Sequence, residues 1–121
     1  MHQAAQAYGK TAQQVATPRE LEANLLLRAA AQLQTVHDTW EVNRPKLDEA
    51  LVYNRRLWAV FMGSVAEKDH PLPREIRQNI ANLGVFVMNQ TLSLMTEPKP
   101  EKLGILISIN REIASGLLNR P

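Results

Sequence analysis

The chain has 121 residues, of which 45% are hydrophobic, 21% charged and none cysteine. That composition suits one folded domain spanning residues 1–121, and it excludes a disulfide scaffold, a thiolate metal site and a cysteine nucleophile. Fourteen Lys+Arg against twelve Asp+Glu leave a net charge of only +2, which argues against the densely basic face of a nucleic-acid binder.

Five helical segments, separated by prolines, are expected in chain order. Residues 3–16 place Ala4, Ala5, Tyr8, Ala12 and Val15 at helical spacing, a marginal helix that needs a surface to pack on. Thr17-Pro18-Arg19-Glu20 is a start signal: Thr17 can cap, Pro18 suits the first helical position, and Glu20 completes a capping box. The helix it opens should reach Asp38 or Trp40, with Leu25, Leu26, Ala29, Leu33, Val36 and Trp40 on one face. A third segment runs from Pro45 to about Glu67, and residues 68–73 form a connector with two prolines. A fourth runs from Pro73 to Met95, and Glu97-Pro98-Lys99-Pro100 ends it. The last fills 101–119. The fold class expected is all-α, a small bundle of four main helices plus the marginal N-terminal one.

The wheel of each segment says which face is inward. In the third, Leu47, Leu51, Trp58, Phe61, Met62 and Val65 share one face, flanked by Ala50 and Leu57, with Asn54 near its middle. In the last, Leu103, Leu106, Ile107, Ile113, Ala114, Leu117 and Leu118 share a face, with Asn110 near its middle. The two segments align without a gap, Leu47 with Leu103, Leu51 with Ile107 and Asn54 with Asn110. A buried amide is costly unless its donors and acceptors are matched. Two asparagines at equivalent heights can satisfy each other or set the register of their helices; alternatively they bond the backbone of a partner. The internal pairing is favoured, because buried polar groups are usually satisfied within the fold.

The fourth segment is apolar on more than one side. Ile76, Ile80, Leu83, Val87 and Leu94 lie within about 60° of one another. Val85, Met88, Leu92 and Met95 occupy a second sector, and Phe86 covers part of the rest. Such a helix is either central in its bundle or faces a partner, and flexible Met suits adaptable contacts. Gly63, Gly84, Gly104 and Gly116 fall in helical segments, where close packing is the usual reason.

Catalytic chemistry is missing. His2, His37 and His70 make no pair at ligand spacing, so no metal site is expected. His37 and Asp38 are neighbours that a helix points apart, and Asp48-Glu49 suit a helix N-terminus. Five scattered glycines form no phosphate-cradling loop. No enzyme activity and no cofactor are expected. No apolar run approaches the ~20 residues of a membrane span, and Met1-His2-Gln3-Ala4-Ala5-Gln6 lacks the regions of a signal peptide, so the expected address is the cytoplasm.

Several blocks of residues resemble one family. Ala7-Tyr8 followed by Thr17-Pro18-Arg19-Glu20-Leu21-Glu22, then Tyr53-Asn54-Arg55-Arg56-Leu57-Trp58 running on to Phe61, then Leu106 through Leu117 with Ser108-Ile109-Asn110-Arg111-Glu112 at its centre, stand in order. Between them, Pro73 through Asn82-Leu83-Gly84-Val85-Phe86-Val87 is similar to the same family's central helix. The family is the flagellar biosynthesis regulator FlaF of flagellated alphaproteobacteria. The resemblance implies a cytoplasmic, non-enzymatic protein that binds newly made flagellin and supports its secretion. It would work against FlbT, a repressor acting on flagellin messenger RNA, with a functional link to the flagellar export apparatus. Helix-in-groove binding is the physical mode that suits such a client. The candidate partner-binding residues are Asn54, Arg55, Leu57, Trp58, Phe61, Val85, Met88, Leu92, Met95, Asn110 and Arg111, the groove being lined by the second face of the fourth helix with Leu57, Trp58 and Phe61. For Trp58, plain core is an equal alternative. A different reading is RNA binding through Arg55, Arg56, Arg74, Arg77 and Arg111, although nucleic acid is disfavoured by the charge balance. A third is a homodimer made by the surplus apolar surface.

Overall fold

A computed structural model describes residues 17–119. The helix expected over residues 3–16 lies outside the described residues. The elements are α1 (Pro18–Asp38), a short α2 (Trp40–Asn43) running into a 3-10 turn (Arg44–Lys46), α3 (Leu47–Val65), α4 (Arg74–Thr96) and α5 (Glu101–Leu117). Among the described residues there is no strand. The chain is an all-α bundle of four main helices, as expected.

Local chemistry sets the ends. The Thr17 hydroxyl accepts the Glu20 N–H at 3.1 Å, and Pro18 occupies the first turn. Thr39, at φ −126° and ψ 43°, breaks the path between α1 and α2. Arg77 Nη1 donates to the Glu67 carbonyl at 2.8 Å and the Val65 carbonyl at 3.3 Å. It thereby satisfies the C-terminal end of α3 from the first turns of α4. Asn119, at φ 56°, takes the left-handed position just past α5, a conformation that asparagine tolerates better than most residues.

The four main helices ring a single core in the order α1, α3, α4, α5. The α1–α5 pairing is the most intimate, and α4 leans mainly on α3 with only slight contact to α5. Small residues explain the first: Ala23, Ala29 and Ala30 are buried on α1, and Ala114 is buried on α5. The inward face of α3 is the expected one, with Leu47, Ala50, Leu51, Asn54, Trp58, Phe61 and Val65 buried. On α5, Leu103, Leu106, Ile107, Asn110, Ala114 and Leu117 are buried as expected, joined by Ile109. On α1 the expectation needs correcting. Leu25 is 41% exposed, because the close α5 approach turns the alanine side inward and rolls Leu25 toward the rim.

The glycines also divide. A Cβ on Gly84 would collide with Met62 from α3, so α3 and α4 cross where one of them has no side chain. At Gly63, Gly104 and Gly116 a Cβ would meet nothing within 4 Å, so close packing accounts for Gly84 alone. Gly63→Ala and Gly104→Ala should each stabilise the fold by about 0.5–1 kcal/mol, the helix-interior cost of glycine. Gly84→Ala should stabilise it less than either of these, because the flexible Met62 side chain has to swing aside to make room. Urea denaturation of the three variants checks the order.

Candidate partner-binding site

At the centre of the bundle Asn110 joins three other residues. Its Oδ1 accepts the Trp58 Nε1–H at 2.9 Å. Its Nδ2 donates to Asn54 Oδ1 at 2.7 Å and to the Leu26 carbonyl of α1 at 3.2 Å. Asn54, Trp58 and Asn110 are each 0% exposed. The bonds cross the bundle diagonally from α5 to α3 and reach sideways to α1. The Trp58 ring meets Phe61 edge-on, 5.6 Å between centroids at 64°. Asn54 Nδ2 has no acceptor within reach.

This placement corrects part of the sequence-derived list. Asn54, Trp58, Phe61 and Asn110 are buried core residues, the polar side-chain atoms of Asn54, Trp58 and Asn110 facing one another, so they line no surface groove. Leu57 is half-buried on the α1 side of α3, away from α4. The expected groove of Leu57, Trp58 and Phe61 against α4 is therefore not assembled, since which flank of α3 meets α4 depends on the order of helices around the core. Arg55 does reach α4, its Nη1 lying 3.9 Å from Met95 Sδ. Arg111 is exposed on α5, apart from that set.

On α4 the apolar sectors separate cleanly. Ile80, Gly84, Val87, Thr91 and Leu94 face the core, and the Thr91 hydroxyl is absorbed by the Val87 carbonyl at 2.6 Å. Met88 and Met95 are half-buried against the core. Val85 is 54% exposed and Leu92 62%, one above the other two turns apart. The second face is thus an open row with two methionines along its edge, and α4 is not a surrounded central helix.

A further apolar surface escaped the sequence reading. Leu25 of α1 and Val52, Tyr53, Arg56, Leu57 and Val60 of α3 line a cleft on the opposite side of α3 from the core. Its signal was present in the i, i+3, i+4, i+7, i+8, i+11 spacing from Glu49 to Val60. It was overlooked because Arg56 and Glu49 interrupt it and a stronger face lies behind it.

The charged groups are dispersed or structurally engaged. Arg77 holds the α3 end, and Lys102 Nζ bonds Ser93 Oγ at 2.9 Å and the Glu97 carbonyl at 3.2 Å. Burial raises the Glu22 carboxyl above the usual glutamate range, with His70 and Arg19 pulling the other way. Hydrogen bonds from His37 and Gln34 hold Asp38 below the usual aspartate range. His37 Nδ1 lies 3.0 Å from Asp38 Oδ1, so these neighbours do meet, because the helix ends there. Among the described residues no group of three or more His, Asp or Glu could hold a metal ion, and no helix is long and apolar enough to cross a membrane.

Neither the curated proteins nor the solved structures compared with the chain yield a match. A family model described as flagellar protein FlaF matches residues 4–117. The match takes in all five helices and the segment before them, and on it the chain belongs to the FlaF family of flagellar proteins.

Proposed function

We propose that this protein binds newly made flagellin in the cytoplasm, acting as a secretion chaperone and a positive regulator of flagellin synthesis. FlbT and the export apparatus are its functional neighbours in this reading. The observation that carries the proposal is the open apolar row on α4, where Val85 and Leu92 are exposed and Met88 and Met95 supply adaptable flanks. Flagellin is exported as an unfolded chain whose amphipathic termini need shielding. An amphipathic client can lay its apolar side along this row, with Arg55 at the Met95 end positioned to meet a carboxylate. The exposed arginines are spread over separate helices and make no continuous basic stripe, which favours an apolar client over RNA.

Purified protein mixed with flagellin should form a complex that survives moderate salt, and leader RNA from the flagellin message should not be retained. Binding only to RNA, or to neither, overturns the proposal. Leu92→Asp should weaken flagellin binding about tenfold or more, as loss of an interface anchor does, and shift the folding free energy by less than about 0.5 kcal/mol, as exposed positions do. Calorimetric titration and urea denaturation separate the two.

A further inference from the structure

The cleft along the outer side of α3 has a floor of Val52, Tyr53, Leu57 and Val60, with Leu25 on its α1 wall. Val60 is 73% exposed, and Leu21, one turn before Leu25 on α1, is 53% exposed. We propose that this cleft is a self-association surface. Two copies of the chain pack α3 against α3 in antiparallel directions, about a two-fold axis close to Tyr53.

Three observations point to a second copy as the occupant. The first is the shape of the row. At 100° per residue, Glu49, Val52, Tyr53, Arg56 and Val60 fall within an arc of about 100°. That arc is centred opposite the face that carries Leu51, Trp58 and Phe61 into the core. α3 therefore has a second, narrower stripe, at the three-and-four spacing by which one helix packs along another.

The second is the order of charges along the stripe. Asp48 and Glu49 stand at its start and Arg56 two turns further on, all three exposed. Among the described residues none of the three has an ion-pair partner. Two parallel copies would set Glu49 against Glu49 and Arg56 against Arg56. Antiparallel copies set the acidic end of each against the basic part of the other. One stripe then supplies both halves of the contact, as a two-fold interface requires.

The third is residue type. Tyr53 is half-buried between these charges, and tyrosine and arginine are the types most enriched where proteins meet. With the axis close to Tyr53, Arg56 of each copy comes over the Tyr53 ring of the other, where a guanidinium is attracted to the ring face. Its length also brings it within reach of the second copy's Glu49. The stripe shares no residue with the apolar row of α4.

Sedimentation equilibrium of the full-length chain at low salt should show a reversible monomer–dimer equilibrium. Glu49→Arg and Arg56→Glu should each weaken the dimer about tenfold or more, because each sets like charges against one another. Mixing the two variants should restore association to within about threefold of the wild type, since the basic positions of one then face the acidic positions of the other. One chain carrying both changes should dimerise like the wild type, and Leu92→Asp should leave the dimer unchanged. Both substituted positions are exposed, so helical circular dichroism should be the same throughout. A wild-type chain that stays monomeric at about 100 μM overturns the proposal. So do single variants that dimerise as well as the wild type, a mixture no tighter than either variant alone, a doubly changed chain that stays monomeric, or a dimer broken by Leu92→Asp. No flagellin enters the experiment, so its result is independent of the function proposed above.

Discussion

Asn110→Leu should cost the bundle about 3 kcal/mol or more, while the matching change Asn54→Leu should cost less than about 1 kcal/mol. The two asparagines occupy aligned positions in the sequence, yet their hydrogen-bond accounts differ. Asn110 supplies the acceptor for the Trp58 N–H and the donors for Asn54 Oδ1 and the Leu26 carbonyl. Replacing it with a leucine of the same shape strands the indole N–H and the Asn54 carbonyl in a dry core, each at about 1–3 kcal/mol. Asn54 already carries an amide nitrogen with no acceptor, so its replacement removes one orphan as it creates another. The double variant should then be more stable than Asn110→Leu alone, because the stranded Asn54 carbonyl disappears with its side chain. Urea denaturation of the two single variants and the double variant measures the coupling; additive losses would contradict the bond pattern.

Trp58→Ala should remove about 3–5 kcal/mol, the range for emptying a large aromatic site in a core. Trp58 is the largest fully buried side chain and touches the bundle's centre with both its ring and its N–H. Against a total of about 5–15 kcal/mol for a native domain, that loss should leave an appreciable unfolded population without denaturant. Trp58→Phe keeps most of the ring volume and the edge-on contact with Phe61 but leaves Asn110 Oδ1 without its donor, at about 1–3 kcal/mol. The order Ala worse than Phe, followed by helical circular dichroism, distinguishes a packed core position from a surface anchor, for which both changes would be mild.

The fold was legible wherever large apolar residues repeat at helical period. The inward faces of α3 and α5 follow from Leu47, Leu51, Trp58 and Phe61 and from Leu103, Leu106, Ile107 and Leu117, and the breaks follow from Pro18, Pro73 and Pro100. On α1 the pattern was ambiguous. Ala29 was expected inward and is, but a single methyl carries too little apolar surface to mark a face, so Ala23 and Ala30 at the close helix crossing did not stand out from exposed alanines. Leucine at 25 consequently looked more inward than it is. The asparagine pair was visible as two polar positions in apolar faces, but its third and fourth members were not. Trp58 and the Leu26 carbonyl enter only once α5 is known to lie diagonally across from α3. The exposed apolar row of α4 and its surroundings were half legible for the same reason. Val85 and Leu92 stand out on any wheel of α4, whereas the side of α3 that meets α4 is set by helix order around the core, which no single segment records.

The two tryptophans of the chain sit in opposite surroundings, and this gives the molecule an internal optical gauge. Trp40 is half-buried near the α1–α3 corner, with the Arg44 guanidinium 5.4 Å over its ring, while the Trp58 indole is sealed in the centre. A small neutral quencher in solution should reach the first and not the second, and the Trp58 indole proton should exchange with heavy water only when the whole bundle opens. A client laid on the outside of α4 leaves the Trp58 emission and its slow proton untouched. One that wedges the helices apart would redden the emission and release the proton. Fluorescence and proton exchange on the unlabelled wild-type chain can therefore tell a closed scaffold from an opened clamp in the act of binding.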